Sequence, residues 1–161
     1  MVEQPSILLI EDEPRLLRNL QILLQNEGYW VMATHDGVEG IKQIEAQAFD
    51  LVITDLVMPG IDGLQVLDFL KIHRPETVVV AVTGHISSES AMEALHRGAY
   101  DYITKPFDYH LFKTAIERAL AKARLQKRPS YYEHAPSTPM PGSQVMGTAQ
   151  SPPMASCSKR R

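Results

Sequence analysis

Cysteine is nearly missing from this 161-residue chain, in which Cys157 stands alone. One thiol cannot close an intrachain disulfide, and a reducing compartment is the expected setting. Long apolar runs are missing too. Nothing approaches the roughly 18 consecutive apolar residues of a membrane-spanning helix. The opening Met1-Val2-Glu3-Gln4-Pro5 has neither the charged nor the apolar region of a signal peptide. A cytoplasmic protein without membrane contact is the expectation. Positive charge is scarce in the body: residues 1–127 carry 12 Lys and Arg against 18 Asp and Glu, a balance of −6 that disfavours direct binding of nucleic acid. His35, His73, His85, His96 and His110 lack ligand spacing, so no transition-metal site is expected.

What is present reads as one globular domain with ordinary proportions, 44% hydrophobic and 22% charged residues. Ser6-Ile7-Leu8-Leu9-Ile10 is a strand that breaks into Glu11-Asp12-Glu13. Pro14 opens a helix whose Leu16, Leu17, Leu20, Leu23 and Leu24 recur at helical spacing until Gly28. Residues 29–33 form a second strand, Asp36-Gly37 a turn, and Ile41, Ile44 and Ala48 the apolar side of the next helix. The run Leu51-Val52-Ile53-Thr54 is apolar without alternation, the pattern of a strand buried on both faces, and ends in Asp55 and then Met58-Pro59-Gly60. Asp62-Gly63 starts a helix carrying Leu64, Val66, Leu67 and Leu70. The β-branched stretch Thr77-Val78-Val79-Val80-Ala81-Val82 is a strand ending at Thr83-Gly84. Ser87 or Ser88 caps the following helix, which Gly98 ends. Residues 100–104 form a fifth strand before Lys105-Pro106-Phe107, and Asp108 caps a last helix with Leu111, Phe112, Ala115, Ile116, Ala119 and Leu120 on its apolar side. Five strand-then-helix units predict an α/β, doubly wound, five-stranded parallel sheet with helices on both faces.

In such a sheet the carboxyl ends of the strands share one edge, where open α/β sheets bind ligands. Glu11, Asp12, Asp55, Thr83 and Lys105 all end strands and are expected to meet there. Clustered carboxylates repel unless a cation lies among them. Mg²⁺, which prefers hard oxygens, suits Asp12, Asp55 and a backbone carbonyl just after Asp55, that of Val57. An aspartate so placed can attack phosphorus and become an aspartyl phosphate. Lys105 would neutralise the transferring charge, and Thr83 could donate a hydrogen bond to the phosphoryl group and move toward it.

Glu11-Asp12 after an apolar strand, Asp55 followed by Met58-Pro59-Gly60 and Asp62-Gly63, Thr83-Gly84, and Tyr102 before Lys105-Pro106-Phe107 together resemble the receiver domains of two-component response regulators. The resemblance covers residues 6 to about 125. It implies a flavodoxin-like sheet of order 2-1-3-4-5. It also implies Mg²⁺ held with the help of Glu11 and Asp12, and a phosphoryl group passed from the phosphohistidine of a sensor histidine kinase, or of a phosphotransfer protein in a phosphorelay, to Asp55. Thr83 and Tyr102 become the switch pair, and the fourth helix, fifth strand and fifth helix the output face for a partner that the sequence does not name. Val57 and His85 fall where the family tunes dephosphorylation. Such a domain is no enzyme beyond phosphotransfer to, and hydrolysis from, its own Asp55.

A phosphatase of the haloacid dehalogenase type is the alternative, since it also places an Asp nucleophile after a strand. Its second Asp, two residues on, is here Val57. A flavin module would need a hydroxyl-rich loop where Glu11-Asp12-Glu13 stands. Residues 1–127 are expected to be the receiver domain. Residues 128–161, with six Pro, six Ser and a basic Lys159-Arg160-Arg161 end, are expected to be a disordered tail without an effector domain. The chain is then a stand-alone receiver or a piece of a larger regulator, with its last helices as a dimerisation surface after phosphorylation.

Overall fold

Four strands of apolar, largely β-branched residues and a fifth shorter one pair in register in the computed structural model, which describes residues 3–84 and 88–127. The elements alternate strictly: β1 Ser6–Ile10, α1 Pro14–Asn26, β2 Trp30–Thr34, α2 Gly37–Ala46, β3 Leu51–Asp55, α3 Gly63–His73, β4 Val78–Thr83, α4 Ser88–His96, β5 Asp101–Thr104 and α5 Tyr109–Gln126. The sheet order is β2-β1-β3-β4-β5 and every pair is parallel. The predicted doubly wound 2-1-3-4-5 sheet is therefore the observed one.

Parallel crossovers pass over the sheet and leave both faces covered, which explains why β3 and β4 are apolar without alternation: each residue of both strands is buried. The strand period of two divides those residues between two layers. Ile7, Leu9, Leu51, Ile53, Val80 and Val82 face α1 and α5, where they meet Leu17, Leu20, Phe112 and Ile116. Leu8, Ile10, Val52, Val79 and Ala81 face the other way, against Ile44 of α2, Val66, Leu67 and Leu70 of α3, and Ala94 of α4. Phe112 is fully buried and stacks on Phe107 at 5.2 Å between ring centroids. Its burial alone stabilises the fold by about 2–3 kcal/mol.

Local sequence signals explain most boundaries. Asp36, Asp62 and Asp108 cap α2, α3 and α5, and Asp62 with Gln65 forms a reciprocal capping box. Three expectations shift. Gly37 is the first residue of α2 and not part of a free turn, because the Asp36 carboxylate accepts from the Glu39 amide and starts the helix there. Ala48 lies beyond the end of α2 and is exposed. Leu111 is 64% exposed although its spacing matches the core residues of α5. It is only three residues past the Asp108 cap, in the first turn, where the neighbouring core position is already taken by Phe112. The predicted cap at Ser87, the site residue His85 and the tail 128–161 lie outside the described residues. Among the described residues, no helix is long and apolar enough to cross a membrane.

At the amino-terminal edge of the sheet, Asp50 fastens three elements. One carboxylate oxygen accepts from the Ser6 amide at 2.7 Å and the Ser6 hydroxyl at 3.2 Å, while the other pairs with Lys127 just past α5. Burial raises the Asp50 pKa, but the hydrogen bonds from Lys127 and Ser6 outweigh it and hold the group below the usual carboxylate value. A depressed folded-state pKa contributes stability that is complete above the ordinary value near ~4 and is lost as pH falls through the lowered one. Asp50→Asn is thus expected to cost about 1–3 kcal/mol at neutral pH, and its urea midpoint should converge on that of the native chain on acidification. Midpoints that stay equally far apart at acid pH would separate the effect from this ionisation.

Candidate functional site

The carboxyl edge of the sheet gathers the chemistry. Asp55 is the last residue of β3, held level with Val82 of β4 by strand register, and only 5% exposed. Its Oδ1 accepts from the Val57 amide at 3.1 Å, and its Oδ2 accepts from Lys105 Nζ at 2.8 Å. The backbone beneath it is pinned from two sides. The Leu56 amide donates to the Val82 carbonyl at 3.0 Å, and the Gly63 amide donates to the Leu56 carbonyl at 3.1 Å. Gly63 is buried so closely on this turn that a Cβ there would lie 2.1 Å from the Asp55 carbonyl oxygen and 2.8 Å from Leu56 Cα. The residue pair read as a helix start therefore also seats the Asp55 loop.

Glu11 follows β1 and is 1% exposed, whereas Asp12 is exposed to solvent. One Glu11 oxygen accepts from the Glu13 amide at 3.1 Å and from Lys105 at 3.0 Å, and the second lies 2.8 Å from the same ammonium. Lys105 Nζ thus bridges Glu11 and Asp55. Burial pushes the Glu11 carboxyl above its ordinary value, and the Lys105 and Glu13 hydrogen bonds only partly oppose that. Burial would lower Lys105, but its hydrogen bonds to Asp55 and Glu11 prevail and raise it, so the ammonium stays charged.

One oxygen each from Glu11, Asp12 and Asp55 lies within 4.8 Å of the others. It is a hard-oxygen set with no imidazole or thiolate, and its fit is to an alkaline-earth dication rather than a transition metal. Thr83 ends β4, is fully buried and shares backbone pairing with the Lys105 loop, whose amide donates to the Thr83 carbonyl at 2.8 Å. Tyr102, on β5, is 39% exposed. Val57 is half exposed, with its amide on Asp55. Glu11, Asp12, Asp55 and Lys105 are therefore brought together, Thr83 stands at the end of the adjoining strand, and Tyr102 sits apart on the outer strand.

Sequence reasoning missed the approach to this site. A cleft of about 370 Å³ runs beside Lys105 between Glu13 and Leu16 of the β1–α1 region and Pro106, Phe107 and Tyr109. Lys105-Pro106-Phe107 was visible as a motif, but only the packing of α1 beside the β5–α5 loop makes it one wall of a cleft.

The family model described as "Response regulator receiver domain" matches residues 7–117. The transcriptional regulatory protein ZraR of Klebsiella oxytoca is 35% identical over 127 residues, which is 79% of this chain and 29% of ZraR. A response regulator receiver domain protein from Clostridium thermocellum superposes with a TM-score of 0.70 at 32% identity, covering 75% of this chain and 98% of that one. The response regulator TrrA of Thermotoga maritima, solved in complex with Mg²⁺ and BeF, superposes with a TM-score of 0.66 at 28% identity, covering 72% and 99%. The chain spans about a quarter to a half of the length of such curated relatives.

Proposed function

Because the chain belongs to the response regulator receiver domain family, whose members are phosphoryl-accepting signalling switches and not classical enzymes, we propose that Asp55 is the phosphoacceptor and that the donor is a histidine kinase or phosphotransfer phosphohistidine. The observation that carries this is the placement of Asp55: buried at a strand end, with two other carboxylates within 4.8 Å and an ammonium at 2.8 Å. An Asp55 carboxylate oxygen attacks phosphorus as the phosphorus–nitrogen bond of the donor breaks. The imidazole leaves with the bonding electrons and takes a proton from solvent. Val57 N–H and Lys105 hold the carboxylate with one oxygen each, so its orientation is preset.

Asp12 and Asp55, with Glu11 and the Val57 carbonyl as the further candidate donors, are the residues that would hold Mg²⁺, which when bound supplies positive charge against the phosphoryl oxygens. That the similar TrrA was solved in complex with Mg²⁺ and BeF supports a dication at this edge of the sheet. The cleft of Leu16, Phe107 and Tyr109 leads to Lys105 and suits an apolar donor surface approaching the site. Thr83 and Tyr102 then report the new charge, and Val57, half exposed over Asp55, sets the access of water and so the lifetime of the product. Met92 of α4, Tyr102 of β5 and Leu111 of α5 are exposed apolar groups, which supports an output or dimerisation surface on those elements and accounts for Leu111 standing outside the core. Within a longer regulator like ZraR this surface would act on further domains; alone, it would act on a separate protein. The hydrolase alternative loses its ground with the family membership, and Val57 in place of an acid agrees.

Acetyl phosphate with Mg²⁺ is expected to add one phosphoryl group, seen in the intact mass, and beryllofluoride with Mg²⁺ to shift the amide resonances of Thr83 and Tyr102. A protein that accepts no phosphoryl group from acetyl phosphate or from any phosphohistidine donor would overturn the reading.

A further inference from the structure

The geometry points to Gly37, the first residue of α2, as a positioning residue for phosphoryl acceptance: the bare backbone there buttresses the far end of the loop that carries Val57, and so fixes Val57 against Asp55. The inference rests on the phosphoacceptor reading of Asp55 and adds to that site a residue from outside its ring of charges.

Glycine is a poor helix former beside alanine, so two buried ones within the ten residues of α2, Gly37 and Gly40, call for a reason in space. Neither has a left-handed backbone, and conformational freedom is not that reason. A Cβ at Gly40 would lie 2.5 Å from Ile10 Cδ1, the end of a flexible side chain that can rotate aside. A Cβ at Gly37 would lie 2.3 Å from the Ile61 carbonyl oxygen and 2.9 Å from Ile61 Cβ and Cγ2. That oxygen belongs to the peptide whose N–H, on Asp62, donates to Gln65 Oε1 at 3.0 Å in the capping box of α3. The peptide is thus held by α3 at its N–H and faced by α2 at its oxygen, so it cannot turn to make room. From Ile61 the chain runs back through Gly60, Pro59 and Met58 to Val57, whose amide donates to Asp55 Oδ1 at 3.1 Å and whose carbonyl is a candidate dication donor. Little slack lies between them. Met58 is 6% exposed and packs in the core, Pro59 has a fixed φ, and Gly60 is already committed to the turn at φ 80°. Gly63 pins the near end of this loop at Asp55 and Leu56, and Gly37 pins its far end. Pressure at Ile61 is therefore passed on to Val57.

Gly37→Ala and Gly40→Ala form a matched pair, one methyl each on the same helix. Both overpack and both are expected to lower the urea midpoint. Only the first reaches the site: Gly37→Ala is expected to weaken Mg²⁺ binding roughly tenfold and Gly40→Ala by less than about twofold, the size of effect seen when the support of a metal donor is disturbed. In the metal-free protein, Gly37→Ala should also shift the Val57 amide resonance and speed its exchange with solvent, while Gly40→Ala leaves both in place. Mg²⁺ affinity is read from resonance shifts on titration with the metal alone. Neither readout requires phosphoryl transfer, so a failed phosphotransfer assay would strike the acceptor reading and leave these results standing. Mg²⁺ affinity unchanged by Gly37→Ala would show that α2 yields instead of the loop and overturn the inference. Equal losses from the two variants would do the same, since they would report a general displacement of α2. If Gly37→Ala does not fold, Ile61→Ala decides: it keeps both glycines and removes the Cγ2 that faces Gly37. A Val57 amide that exchanges faster in Ile61→Ala would uphold the buttress, and one that exchanges at the native rate would remove it.

Discussion

Asp55→Asn is expected to lower phosphoryl uptake from acetyl phosphate or a phosphohistidine donor by a factor on the order of 10⁴ or more, to below detection, while leaving the fold in place. An amide oxygen is a far poorer nucleophile than a carboxylate, and removing the nucleophile from a concerted site takes nearly all of its rate. The shape of the site survives. Asn retains an acceptor for Val57 N–H, and Lys105 retains Glu11 at 2.8 Å, so the ammonium is not left without a counter-charge. The thermal midpoint should therefore shift by a few degrees at most, in contrast to the activity. The measurement is the intact mass after incubation with donor and Mg²⁺, with the site mapped by fragmentation. Phosphorylation of Asp55→Asn at native stoichiometry would move the acceptor elsewhere and sink the proposal.

Among the described glycines, Gly63→Ala is expected to be the most damaging substitution. Its Cβ would fall 2.1 Å from the Asp55 carbonyl oxygen and 2.8 Å from Leu56 Cα, and both of these are backbone atoms that no rotamer change can move aside. Either α3 lifts from β3, with loss of the Gly63 to Leu56 hydrogen bond and of packing by Val66, Leu67 and Leu70, or the Asp55 turn is displaced. The cost should be on the order of 3 kcal/mol, and phosphoryl uptake should fall in the fraction that remains folded. Gly28→Ala makes the comparison. Nothing lies within 4 Å of its Cβ, so only the backbone conformation at φ 94° is penalised, about 1 kcal/mol. Chemical unfolding of both variants checks the order; a Gly63→Ala protein as stable as Gly28→Ala would show that α3 is free to shift.

The parallel sheet was legible because β3 and β4 are continuous apolar runs and helical spacing returns between strands, and helix starts were legible at Asp62 and Asp108, whereas Asp36-Gly37 reads in sequence only as a turn. Leu111 shows where periodicity stops informing: spacing places a residue on a helix stripe, but in a first turn the stripe can run past the edge of the sheet. The roles at the site divide in the same way. Asp55 and Lys105 could be read as strand-end groups, while the neighbouring letters Glu11 and Asp12 look interchangeable in sequence. Their separation into a buried and an exposed acid comes only from how the β1–α1 turn lies against Thr34 and Lys105.

By itself, then, the sequence determined the architecture and which strand ends share an edge, since alternation of strand and helix periods forces a parallel sheet and a parallel sheet puts every strand's carboxyl end on one edge. Tertiary structure alone decided who touches whom there. Lys105 comes within 2.8 Å of Asp55 across 50 residues and of Glu11 across 94, and Gly63 seats the Asp55 turn through an approach that only a missing Cβ permits. Contacts of that kind arise from the docking of separate elements, and no local pattern of residue types encodes their distances.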